Sequence, residues 1–274
     1  MNNPDSASPS LKGLKIIIRG AGEMATGVAH RLARAGFHLL LTETQHPLAV
    51  RRAVSFCEAV HDGAKSVEGL TARLIQEPEQ VARLWDKGEL PVLVDPDLIC
   101  LEQLRPQVIV DALLAKKNTG LRRDMAPLTI GLGPGFSAPD QVDLVIETNR
   151  GHNLGRLIYD GAPAANTGVP GDIAGYTHER VLRSPADGLF ETERQLGDAV
   201  TEGEVVAMVT GEPVSAQVGG VLRGLIRPGS QVRKGLKVGD VDPRGKIEYL
   251  DTISEKARAI GGSVLEGILA RFNR

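Results

Sequence analysis

The 274-residue sequence predicts two unlike parts: an α/β region on a doubly wound parallel sheet, followed by a small all-β module. Three observations lead there. Strand-like and helix-like patterns alternate up to about residue 150, a duplication with an offset of 32 residues runs through 181–241, and the glycine content shifts between the two. Of the 32 glycines, 9 fall in residues 1–130, 19 in 131–239 and 4 in 240–274. At average usage of about 7%, a chain this long would carry roughly 19, so the surplus sits mainly beyond residue 130.

Hydrophobic residues make up 42% and charged ones 24%, with 32 Lys+Arg against 34 Asp+Glu, which excludes disorder as the main theme. A net charge of −2 without a dense Lys/Arg block argues against a nucleic-acid partner, and no run approaches the roughly 18 apolar residues of a membrane span. The polar start MNNPDSASPSLKG lacks the apolar middle of a signal peptide, so residues 1–12 are expected as a flexible tail and the protein as cytoplasmic. Cys57 and Cys100 fit a reducing compartment. The six scattered His and two Cys show no metal-ligand spacing, so no metal is expected.

Leu14–Arg19 is a β-branched apolar run that stops at Gly20, as a buried strand does. Met24, Val28, Leu32 and Ala35 then recur at helical spacing up to a stop at Gly36, and Phe37–Leu41 is the next strand. Strand, turn, helix and strand in about 30 residues make a βαβ unit. Beyond a less regular insertion at 48–75, residues 79–87 read as helix, Pro91–Asp95 as strand and Asp97–Leu104 as a short helix. Val108–Asp111, Leu128–Ile130 and Val142–Ile146 complete a domain spanning 13–150.

The first turn, Gly20-Ala21-Gly22-Glu23-Met24-Ala25, fits G-x-G-x-x-(G/A) and makes this domain Rossmann-like. The first glycine permits the tight turn, the second lets backbone approach a pyrophosphate, and small Ala25 lets helix and strand close up. Glu43 ends the next strand, 21 residues after Gly22, where a carboxylate can accept from a ribose diol. The ligand expected is a small anionic nucleotide, either an NAD-like dinucleotide or a molybdopterin nucleotide; a turn kept for packing alone is the alternative.

Ligands of open parallel sheets sit beyond the carboxyl ends of the strands. Those ends supply Asp111, Lys116, Lys117 and Asn118, the loop Gly131, Gly133 and Gly135, and Glu147 leading to Arg150 and His152. Lys116 and Lys117 could hold an anion or act as base, or be simply solvated. The glycine loop could cradle a second anion or serve as a hinge. His152 is a candidate for acid/base work or a structural hydrogen bond.

In the second half Gly188, Gly197, Val200, Gly203, Val206 and Val209 recur as Gly220, Gly229, Val232, Gly235, Val238 and Val241, implying two similar β units face to face. Phrases such as G-D-x-V-x-x-G resemble the barrel-sandwich hybrid of biotinyl and lipoyl domains. No lysine lies between Lys117 and Lys234, so neither biotin nor lipoate is expected. The module is assigned to 181–245, a Gly/Pro-rich connector to 151–180, and a C-terminal helix packing back on the first domain to 246–274.

The phrases IIIRGAGEMATGVAHRLARAGF, VDALLAKKNTG, DMAPLTIGLGPGF, IETNRGHNLGR, NTGVPGDIAGYT, SPADG, VRKGLKVGDVDPRG and ISEKARAIGGSVLEGIL, in this order from Leu14 to Leu269, resemble the accessory protein of the selenium-dependent molybdenum hydroxylase system. The resemblance implies a maturation factor with a molybdenum hydroxylase as partner, selenium or molybdenum cofactor as its concern, and Cys57 as the one cysteine to consider for sulfur or selenium handling. A NAD-dependent oxidoreductase and a ligand-free interaction scaffold are the alternatives. A homo-oligomer is a further expectation.

Overall fold

The structure is a computed structural model that describes Leu11 and residues 13–273. Apart from Leu11, the tail expected over residues 1–12 lies outside the described residues. Strand β1 (Lys15–Arg19) buries Ile16 and Ile18 in one apolar layer and Ile17 in the other. A strand apolar on both faces must be covered on both. Gly20, at φ +91°, turns the chain into α1 (Glu23–Arg34), and β2 (His38–Glu43) returns parallel to β1.

Residues 48–75 are more regular than expected. They form α2 (Glu58–Asp62) and a hairpin of β3 (Ala64–Val67) and β4 (Leu70–Ile75), which joins the sheet. Next come α3 (Val81–Asp86), β5 (Leu90–Val94), α4 (Leu101–Leu104), β6 (Val108–Asp111), β7 (Leu128–Leu132), β8 (Leu144–Ile146) and β9 (Leu157–Ile158). The order across this sheet is β3-β4-β5-β2-β1-β6-β7-β8-β9.

This corrects the doubly wound, Rossmann-like expectation. The nine-stranded sheet is mixed, with antiparallel pairs at both edges, β3 on β4 and β8 on β9. The links from β6 to β7 and from β7 to β8 hold no α-helix, so successive crossovers do not cover that face. The helix α5 (Glu255–Phe272), capped by the Ser254 hydroxyl, lies there instead and buries Ala257, Ile260, Val264 and Ile268 in the layer shared with α1. Gly261 and Gly262 do not interrupt it. Gly261 sits where a Cβ would come 2.7 Å from the Gly27 carbonyl oxygen, so α1 and α5 cross at backbone contact.

The second half contains β10 (Val181–Arg183), β11 (Gly188–Glu191), β12 (Ala199–Val200), β13 (Val205–Val209), β14 (Glu212–Ser215), β15 (Gly220–Leu225), β16 (Gln231–Val232) and β17 (Lys237–Asp242). They form two four-stranded antiparallel sheets, β10-β17-β15-β12 and β14-β13-β11-β16. Each unit of the 32-residue repeat thus lends its short strand, β12 or β16, to the other unit's sheet.

The biotinyl/lipoyl-like module expected from that repeat is also corrected. β10 and β14 stand at the same 32-residue offset and belong to the repeat, but the two sheets do not form a free-standing carrier-like module, because they are bound to the first half. Leu225 N donates to the Val50 carbonyl at 2.8 Å and Arg52 Nε to the Leu225 carbonyl at 2.9 Å. Arg227 pairs with both Glu58 and Asp62.

Glu68, in the β3–β4 turn, fastens α5 to this frame. Its Oε1 accepts from Ile253 N at 2.8 Å and from Arg258 Nη2 at 2.5 Å, with His30 at 3.8 Å from Oε2. Burial works against the charge, but Arg258, the Ile253 N–H and His30 hold the carboxyl below its ordinary value. A depressed folded value means stability present above the unfolded range near about 4.3 and lost as pH falls through the folded value. Glu68→Gln is therefore expected to melt below the parent near about pH 7 and level with it near about pH 3. A deficit equal at both pH values would rule this contact out as its source.

Candidate functional site

A cleft of about 530 Å³ opens where the carboxyl ends of the central strands meet the second half. One wall is the start of α1, where Gly22 is the N-cap and no side chain caps the helix. A Cβ on Gly22 would meet nothing within 4 Å, so there is open space beside the N-cap of a helix whose first N–H groups have no intrahelical partner. Ala112–Leu114 and Lys116 follow from β6, and Arg150 from the loop after β8. The opposite wall is Arg180 and Arg183 with Arg223, Lys237 and Asp240 from β15 and β17. Ser254 and Lys256, at the start of α5, and Arg51, after β2, complete the lining.

With eight cations and two carboxylates, Glu23 and Asp240, the lining carries +6, whereas the chain carries −2 overall. Several of these cations are buried. Arg180 is 4% exposed, paired with Asp240 at 2.5 Å and donating to the Gly171 carbonyl at 2.7 Å, while its Nε has no partner. Arg51 is 7% exposed, donates Nη2 to the Tyr249, Leu250 and Thr252 carbonyls, reaches Glu23 at 3.3 Å, and also leaves Nε without a partner. Burial and the neighbouring Arg51 push the Arg223 guanidinium below its ordinary value. Burial and Arg150 do the same to the Lys256 amine. Like charges crowded out of water raise the energy of the empty cleft, and an anion relieves the repulsion.

Of the residues read from the sequence, Gly22, Lys116 and Arg150 line this cleft. Gly20 makes the turn against Leu113 and Ala112, and Ala25 is fully buried. Glu43 points back into the turn, accepting from Ala21 N at 2.9 Å and Thr44 N at 2.8 Å. Asp111 is buried in an ion pair with Arg19 at 2.6 Å. Asn118 closes its own loop, accepting from Gly120 N and Leu121 N and donating to the Leu121 carbonyl. Gly131, Gly133 and Gly135 are places of close packing, where a Cβ would lie 2.4 Å from Phe136, 2.3 Å from Thr148 and 2.5 Å from Lys117. Lys117 and His152 are exposed and lie outside the cleft lining.

Arg180, Arg183, Arg223, Lys237 and Lys256 were not legible as site residues. The available signal was an arginine inside an apolar strand, Arg223 in Val221-Leu222-Arg223-Gly224-Leu225, where burial of a charge demands a partner. Cys57 and Cys100 are both buried, and burial pushes both thiols up, Cys100 to about 12, so neither is poised as a thiolate. Among the described residues no group of three or more His, Cys, Asp or Glu side chains is placed to hold a metal ion, and no helix is long and apolar enough to cross a membrane.

No protein-family model matches the chain. It is 48% identical over 254 residues to the uncharacterized protein YqeB of Escherichia coli strain K12, a match covering 93% of this chain and 47% of that protein. The chain thus spans about half the length of the curated relative it matches. Solved structures returned by comparison include the product-bound ectoine utilization protein EutE (DoeB) of Ruegeria pomeroyi, at 14% identity and a TM-score of 0.25. Another is a succinylglutamate desuccinylase/aspartoacylase of Rhodobacter sphaeroides, at 16% identity and 0.27. Each match covers 84% of this chain and 85% of the other. At such TM-scores nothing of those proteins' activity is carried over.

These results correct the resemblance drawn from the sequence. The curated relative is an uncharacterized protein, the solved structures include proteins described as succinylglutamate desuccinylase or aspartoacylase and an ectoine utilization protein, and none of these matches is described as a selenium or molybdenum protein. The maturation role, the molybdenum hydroxylase partner, the NAD-dependent oxidoreductase, the ligand-free scaffold and the Rossmann nucleotide-binding description are withdrawn with it.

Proposed function

We propose that the cleft binds a small molecule carrying phosphate or pyrophosphate. The observation that carries this reading is the +6 lining in a chain of net charge −2, with the guanidinium groups of Arg51 and Arg180 among the buried cations. The open first turn of α1 adds backbone N–H groups and the positive end of its dipole. Packing cations this densely is costly for a fold and favourable for a polyanion.

Isothermal titration with inorganic pyrophosphate, and separately with NAD, tests it. Pyrophosphate is expected to bind, to weaken as salt is raised, and to add about 2.7 kcal/mol of stability at a hundredfold excess over Kd. Gly22→Asp separates binding from folding. Its φ of −69° and the empty space around it admit a side chain without strain, and Asp is a better N-cap than Gly by a few tenths of a kcal/mol. The variant should melt at or above the parent yet bind pyrophosphate about tenfold more weakly. Unchanged affinity in Gly22→Asp, or no binding by the parent, defeats the reading.

A further inference from the structure

The cleft contains three lysines in different situations. Lys116 is exposed, and Lys237 is held by Asp240 at 3.1 Å. Lys256 is half-buried and makes no hydrogen bond or ion pair among the described residues. It stands in the first turn of the 18-residue α5, where Ser254 caps the helix and the peptide dipoles present their positive end. Arg150 adds a second positive charge beside it, and together with burial this disfavours the ammonium form. Glu23, Glu147 and Glu255 act in the opposite sense. A lysine out of water beside another cation is the arrangement in which an amine remains unprotonated and nucleophilic.

We propose that Lys256 captures the carbonyl carbon of a phosphate-bearing aldehyde or ketone as an imine, an inference that rests on the anion-binding reading of the cleft. The surrounding guanidinium groups hold the ligand's phosphate, which leaves the amine for its carbonyl. The Nζ lone pair forms the C–N bond, and the carbonyl π pair moves to oxygen, which gains a proton. That proton comes from the amine nitrogen, and the carbinolamine then loses its hydroxyl with the one remaining N–H hydrogen as water, leaving C=N. No electrons are gained or lost. Protonation of the imine restores a positive charge, which Glu23 and the neighbouring carboxylates stabilise.

The test uses the full chain with pyridoxal 5′-phosphate, an aldehyde carrying a phosphate, followed by borohydride reduction and peptide mass spectrometry. Lys256 is expected to carry the reduced adduct with about tenfold higher occupancy than exposed lysines such as Lys87. Pyrophosphate should suppress the labelling, and pyridoxal without its phosphate should label Lys256 weakly. Lys256→Arg keeps the cation but not the amine's chemistry, so it should lose the adduct while still binding pyrophosphate, and Lys256→Gln should lose the adduct as well. Label spread evenly over surface lysines, or centred on Lys116, while the parent binds pyrophosphate, overturns the imine proposal and leaves the anion site standing. Failure of the parent to bind pyrophosphate overturns both.

Discussion

An Arg180→Met variant is expected to lose about 3–5 kcal/mol of stability, read as a shift in the urea midpoint at unchanged slope. Arg180 and Asp240 are each 4% exposed and 2.5 Å apart. Removing the guanidinium leaves the Asp240 carboxylate in the interior with only half-exposed Lys237 to offset it. Lys237 places the loss toward the lower end of that range. The double variant Arg180→Met, Asp240→Leu removes both charges and should recover most of the stability, because two apolar groups of similar volume replace a costly pair. It should not recover pyrophosphate binding, since Arg180 lines the cleft in either background. Equal stability losses in the single and double variants would show that the pair is not the source.

The second large effect belongs to the crossing of α1 and α5. A Cβ on Gly27 would lie 2.6 Å from the Ala257 Cβ and 2.8 Å from its carbonyl oxygen, and backbone cannot yield as a long side chain does. Gly27→Val should therefore cost at least the 1–3 kcal/mol typical of an overpacked core, about 3 kcal/mol with two further methyl groups to house. Two neighbouring glycines provide an internal control. Gly261→Ala meets the Gly27 carbonyl and should destabilise, whereas Gly262→Ala meets nothing within 4 Å and should stabilise by about 0.5–1 kcal/mol through helix propensity alone. Thermal melts of the three variants check this. A Gly261→Ala variant as stable as Gly262→Ala would mean that the helices can separate without penalty.

The parts legible in the sequence were those encoded locally. The run of Ile16, Ile17 and Ile18, the turn at Gly20 and Gly22, and the spacing of Met24, Val28 and Leu32 place β1, α1 and the start of β2. The repeat was visible because positive-φ glycines recur in equivalent turns, such as Gly203 and Gly235 at +84° and +81°. The sheet edges were not legible. Lys65, Ser66, Thr71 and Arg73 interrupt the apolar pattern of β3 and β4, since a two-stranded edge needs burial on fewer sides. The cleft was the least legible feature. Its cations lie between Arg51 and Lys256 and never form a basic block, so a chain of slightly negative charge conceals a strongly positive site assembled by the fold alone. Gly131, Gly133 and Gly135 misled for the converse reason, because close packing selects glycine as readily as an anion does.

The contact between α1 and α5 also bears on how the chain folds. Within the order of the chain α1 precedes every strand but β1, whereas the helix that seals it follows every strand of both halves. Until α5 docks, the layer formed by Ile16, Ile18, Val28, Leu39 and Ile130 lacks that cover, so a chain in which α5 is not yet in place presents a sticky surface. Sequence-distant closure of this kind slows folding and favours assistance by chaperones. Because the same helix carries Lys256, the cleft is completed only when the sheet is sealed, which ties assembly of the site to closure of the core.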